Sequence, residues 1–215
     1  DATCGLEVAS PPLSGEDGLD QVRVARRARR EAGARVNQHC GLHVHHEVRD
    51  LGARGIARLV RSWAANQGLI DWLVQPGRRN DANSYCRRWR EEEIRRLDDA
   101  DSFSRVDRYQ AINIACFPRT GTVEVRQHGG TLDFQKVEAW IRLGQSIIDA
   151  VASSPGAELG AAGGLRSLLS EISLDENSSA FLLGRAVSFG APAPTVGIAP
   201  AQLTDLADLS ALVIA

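Results

Sequence analysis

Residues 39–48 read His-Cys-Gly-Leu-His-Val-His-His-Glu-Val, and this run constrains the fold more than any other. In an extended strand, side chains alternate between the two faces. His43, His45 and Glu47 then share one face, while Cys40, Leu42, Val44 and Val48 share the other. The run predicts a sheet with a polar working surface on one side and a packed core on the other. By the same alternation His46 points to the core, where a histidine packs neutral and hydrogen-bonded.

Three other segments carry the same two-faced pattern. Residues 3–9 read as a short strand ended by Ser10-Pro11-Pro12, because proline cannot donate to a ladder. Residues 109–116 place Ile112 and Ile114 opposite Tyr109 and Asn113. Residues 122–128 place Thr122, Glu124, Arg126 and His128 opposite Val123 and Val125. The first-mentioned strand spans 35–48. Between them, apolar residues at helical spacing predict helices over 54–74 and 134–153, the latter capped by Asp133. An Arg-rich helix over 17–33 presents a solvated face, a charged helix covers 84–97, and one or two short helices fall within 165–189. Residues 98–107 read as a loop. The expected class is α+β: one antiparallel sheet, polar and concave on one face, with helices packed on the other.

Composition narrows the partners. A chain of 215 residues suits one domain with an appendage. We expect a domain over 1–189 and a Pro/Ala-rich tail with a possible short helix over 190–215. The net charge of −2 and the interleaving of arginines with acids argue against a nucleic-acid partner. No apolar run reaches the roughly 18 residues that suggest a membrane span. The four cysteines form no CxxC pair, so a zinc ribbon is not expected; three of them fall in expected strand or helix cores and read as small buried thiols in a reducing cytoplasm. The chain has no methionine and opens mid-strand, so we expect a fragment of a longer protein whose N-terminus is missing.

If the four strands share one sheet, Glu7, His43, His45, Tyr109, Asn113, Glu124, Arg126 and His128 converge on one surface. Carboxylates on different strands can hold a hard cation such as Mg²⁺. An arginine beside them can pair with phosphate oxygens, and imidazoles can bind metal, hydrogen-bond phosphate or move protons. The set fits phosphoryl transfer from a nucleotide. No glycine-rich phosphate loop is present, so the nucleotide would lie on the sheet.

These residues also carry a family resemblance. Cys40-Gly41-Leu42-His43-Val44-His45 resembles the CGLHVH signature of the amidoligases, carboxylate–amine ligases related to glutamate–cysteine ligase and glutamine synthetase. Gly5 to Leu13 resembles the GxEVxSPPL strand of that family, and Arg78-Arg79-Asn80 with Tyr85-Cys86 its arginine-pair loop. Thr122 to Asp133 resembles its T-x-E-x-R-x-H-x-G-T-L-D strand and turn. Tyr109 to Asn113 also matches, and the resemblance runs from about residue 4 to 190.

The resemblance implies a glutamine-synthetase-like sheet and ATP- and Mg²⁺-dependent formation of an amide or isopeptide bond through an acyl phosphate. Small-molecule or peptide carboxylates and amines would be the substrates. Glu7 and Glu124 would hold Mg²⁺. Glu124, Arg126, His43 and His45 would be catalytic. Arg126, Arg78, Arg79 and Asn113 would bind the cofactor. The family's opening G-x-E-x-E strand is not seen in this sequence, so we expect at least one metal carboxylate to be missing from it. A catalytically inactive binding module of the same fold is one alternative. A cupin-like oxygenase using His43, His45 and Glu47 is another, although His45 and Glu47 stand closer together than that fold's usual spacing.

Overall fold

The apolar repeats at 54–74 and 134–153 do become the two long core helices, and the sheet lies across them. The computed structural model describes residues 5–97, 100–160 and 162–199. In chain order these form α1 (Gly15–Glu31), β1 (Gly41–Glu47), α2 (Gly52–Ile70), α3 (Glu91–Ile94), α4 (Ala100–Phe103) and β2 (Ile112–Asn113). Then follow α5 (Phe117–Thr120), β3 (Thr122–Gly129), α6 (Phe134–Ser153), α7 (Gly164–Glu171), α8 (Glu176–Ser188) and α9 (Ala193–Val196). The sheet has three strands in the order β1-β3-β2, and both pairings are antiparallel. The class is therefore α+β.

Beneath the sheet, Val123, Val125 and Ile112 join Ile56, Leu59, Val60 and Trp63 of α2 and Trp140, Leu143 and Ile147 of α6 in one core. Trp63 and Trp140 meet edge to face, with ring centroids 6.3 Å apart. Each such burial contributes roughly 1.5–3 kcal/mol. Helix α6 begins where Asp133 accepts hydrogen bonds from the backbone amides of Gln135 and Lys136. His46 is buried, as its position in the alternation predicts. Its Nδ1 lies 3.1 Å from Gln145 Oε1, and burial pushes its pKa down. A methyl group on Gly144 would come within 2.6 Å of His46 Nε2, so this glycine makes the room that the ring occupies.

Several expected elements are shorter or absent. Residues 5–9 form no strand; Leu6 is 93% exposed and Gly5 sits at φ +67°, which breaks an extended run. Residues 3 and 4 of that expected strand lie outside the described residues. The strand expected from 35 begins only at Gly41. Before it, Asn37 folds a local turn, accepting from His39 N through its side chain and from Cys40 N through its carbonyl. The strand expected over 109–116 shrinks to two residues. Asn113 Oδ1 takes the Ala115 amide, which turns the chain off the ladder into α5.

The helix expected over 84–97 is reduced to α3. Residues upstream of it pair instead with the chain entering β2: Arg87 N donates to Tyr109 O, and Ala111 N to Arg87 O. Trp89 Nε1 donates to Ile112 O, fixing that segment to the sheet. The 98–107 stretch, expected as a loop, contains α4. In the 190–202 segment α9 buries Val196 in the core, and residues 200–215 lie outside the described part. Of the α1 arginines, Arg23 pairs with Asp20 and Arg27 with Glu31 on the exposed side, but Arg26 departs from the expected solvated face and is buried.

Candidate active site

Glu124 lies near the middle of the central strand, with a neighbour on each side. Across one ladder it faces His45, and across the other Asn113. Two positions along β3, on the same face, stands Arg126. Antiparallel registry thus brings residues far apart in sequence into one cluster. Asn113 Nδ2 donates to Glu124 Oε2 at 2.7 Å, and Arg126 Nη1 donates to Oε1 at 2.6 Å. His43 Nδ1 lies 3.1 Å and His45 Nε2 3.9 Å from the same Oε1.

Glu124 is buried, which alone would raise its pKa. Hydrogen bonds from His43, Asn113 and Arg126 more than offset that and hold it well below the usual carboxylate range. It is ionised at any physiological pH. The two histidines are wetter, with side chains 35% and 46% exposed, so they form the open rim of the cluster. His45 Nδ1 is fixed by Thr122 Oγ1 at 2.8 Å.

Arg126 is held at both ends. Its Nε donates to Tyr85 O at 3.1 Å, and its guanidinium stands 5.7 Å from the centre of the Tyr109 ring. Tyr109 meets Tyr85 edge to face at 5.2 Å. These contacts explain why the segment before α3 is extended: it forms the wall beside Arg126.

Beyond Arg126 the alternation breaks. Val44 pairs with Val125 and Leu42 with His128, so Arg126 and Gln127 together stand opposite His43 alone. This is a β-bulge in β3. It turns His128 to the core side, 5.2 Å from the Trp140 ring, and away from the polar face expected for it. His128 is buried, and its Nδ1 lies 2.7 Å from Gly129 O. Burial, reinforced by Arg185, pushes its pKa down to about 3, so it is neutral.

Residues 1–148 match a protein family described as "Putative amidoligase enzyme". The chain belongs to the amidoligase family. No match was found among curated proteins or among solved structures.

The amidoligase signatures fall unevenly on this cluster. Of CGLHVH, Gly41 seats two site groups: a methyl there would lie 2.7 Å from His43 Nε2 and 3.6 Å from Arg78 Nη1. Arg78 is buried and donates to Cys40 O at 2.7 Å. It stands in no ion pair among the described residues. Burial pushes the Cys86 thiol up, while the positive charges of Arg78 and Arg126 both oppose the rise.

Arg79 goes elsewhere. It donates to Val74 O and stacks over Trp72 at 4.7 Å and Phe189 at 5.0 Å, none of which belongs to the Glu124 cluster. Glu7 is exposed, outside the sheet, and without a hydrogen bond or ion pair among the described residues. Glu47 pairs with Arg49 at the far end of β1.

The described residues do not assemble a magnesium site. Mg²⁺ needs oxygen ligands, and both oxygens of Glu124 already accept from Asn113, Arg126 and His43. Among the described residues no group of three or more His, Cys, Asp or Glu side chains is arranged to hold a metal. No helix described is long and apolar enough to cross a membrane.

Sequence reasoning missed Asp71, the buried anchor of this region. Its signal is an acid set inside the apolar run Leu69-Ile70-Asp71-Trp72-Leu73. A carboxylate at such a place must be paired. Its partners are Arg88, Gln127 and the Asn80 amide.

Proposed function

We propose that the chain is an ATP-dependent carboxylate–amine ligase acting on small-molecule or peptide substrates. The observation that carries the reading is the Glu124–Arg126 pair, buried in a packed sheet and rimmed by His43 and His45. Family membership supplies the reaction class: joining an acid to an amine. ATP supplies the phosphoryl group that turns the carboxylate into an acyl phosphate; the amine then displaces phosphate.

In this reading Arg126 and Arg78 meet phosphate or carboxylate oxygens, since guanidinium geometry suits both. Glu124 is too weak a base for proton transfer near neutral pH. Its role is to orient Arg126, His43 and Asn113. His45, set by Thr122 and open to water, is placed to take the proton released by the attacking amine. The three strands fit as part of the larger antiparallel sheet of the glutamine-synthetase type, and the polar face as its funnel wall. The free thiols of Cys40, Cys86 and Cys116 suit a reducing cytoplasm.

The test is incubation of the protein with Mg-ATP and a mixture of amino acids and peptides. Release of ADP and phosphate, with an amide product by mass spectrometry, is expected. Absence of both turnover and nucleotide binding would overturn the reading and favour an inactive binding module.

A further inference from the structure

Asp71 follows the last residue of α2 and is 4% exposed. One of its oxygens accepts from Gln127 Nε2. The other accepts from the Asn80 amide at 3.1 Å and from Arg88 Nη2. Gln127 is fully buried and also donates to Arg78 O at 3.3 Å.

A single carboxylate therefore ties four segments together. These are the end of α2, the loop carrying Arg78, the extended segment from Tyr85 to Trp89, and the bulge of β3. Arg78 belongs to the second. Arg126 belongs to the fourth and rests on Tyr85 O of the third. The bulge itself needs a reason to persist, because it leaves a residue out of the ladder. Gln127, the residue beside Arg126 in the bulge, is held by Asp71.

We propose that Asp71 is a positioning residue: through Gln127, Arg88 and the Asn80 amide it sets where the Arg78 and Arg126 guanidiniums stand. This rests on the ligase reading for what those guanidiniums bind, but not for the positioning itself. All three donors point at Asp71, so the position requires an acceptor at both oxygens. Asp71→Asn keeps the shape and turns one acceptor into a donor, which leaves one of the three facing another N–H.

The test has two readouts on the intact protein. The first needs no ligand: the Nε–H resonances of Arg78 and Arg126 by ¹H–¹⁵N NMR. Both should shift in Asp71→Asn, and the Arg126 Nε–H should lose protection from solvent exchange. The second is affinity for ATP and for inorganic tripolyphosphate by calorimetry. Loss of one charge-assisted bond corresponds to a weakening of about tenfold. The exchange variant Asp71→Asn/Gln127→Glu returns an acceptor to the contact and should restore both readouts. Should Asp71→Asn fail to fold, Gln127→Ala carries the same test, since Asp71 then keeps Arg88 and Asn80. Unshifted arginine resonances in a folded variant would overturn the proposal, even where thermal stability falls. A wild-type protein that binds neither ATP nor tripolyphosphate would count against the ligase reading, while the resonances still decide the role of Asp71.

Discussion

Replacing Glu124 with Gln separates charge from shape at the centre of the site. The carboxylate gives Oε1 to Arg126 and His43, and Oε2 to Asn113. An amide of the same size has one acceptor. If its oxygen serves Arg126, its NH₂ faces the NH₂ of Asn113. Asn113 cannot flip freely, because its oxygen holds the Ala115 amide at 2.9 Å. The variant thus loses the charge opposite a 5% exposed arginine and frustrates a donor. Breaking a buried pair costs about 3–5 kcal/mol, and the wet histidine rim sets this case near 3 kcal/mol. For a domain of this size that is a fall in Tm of about 6–12 °C.

The loss should depend on pH. The folded-state pKa of Glu124 lies below its unfolded value of 4.5. The charged form therefore stabilises the fold above pH 4.5, and that contribution fades as pH falls below it. Urea denaturation at pH 7 and pH 3.5 should show the gap between wild type and Glu124→Gln narrowing in acid. Adding Asn113→Asp should recover stability at pH 7, because the new carboxylate accepts from both the side-chain amide introduced at position 124 and Ala115 N. A loss under about 1 kcal/mol, a gap independent of pH, or a double variant no better than the single would refute this account of the cluster.

Gly144→Ala should destabilise the fold by about 1–3 kcal/mol in thermal melts, since its methyl group meets the His46 ring at 2.6 Å, and His46→Val should relieve it. His128 is neutral when folded, with a pKa lowered to about 3, so wild-type stability should fall as pH drops from 6.5 toward 3. Replacing His128 with Gln, which can still donate to Gly129 O, should flatten that part of the stability–pH curve. Arg79→Ala should cost about 1 kcal/mol through its lost stacking on Trp72 and Phe189 while leaving turnover intact, whereas Arg78→Ala should abolish turnover.

Where apolar spacing ran long, the chain was legible. The expected helix over 134–153 matches α6 at both ends, and the expected strand over 122–128 falls one residue short of β3. The polar face was read correctly where alternation held, which is why His43, His45, Asn113, Glu124 and Arg126 meet. Illegible features depend on contacts that periodicity does not encode. Arg87 and Trp89 leave the helical pattern because Tyr109 O and Ile112 O offer better partners. Arg79 shares a motif with Arg78 yet stacks on Phe189, 110 residues further along the chain. Residues 5–9 alternate as a strand should, but alternation without a partner strand does not fix a conformation.

The bulge at Arg126–Gln127 divides a motif that looks uniform on paper. Upstream of it, Glu124 and Arg126 answer to whatever ligand the sheet receives. Downstream, His128 answers to Trp140 and to a carbonyl. The two halves therefore tolerate different replacements. An amidoligase with new substrate chemistry would vary around Glu124 and Arg126 while keeping a compact neutral donor at 128. One with the same chemistry and a repacked interior would do the reverse. A deletion of Gln127 would make the ladder regular and leave His128 facing Trp140, but it would take away the residue through which Asp71 holds the strand beside Arg126.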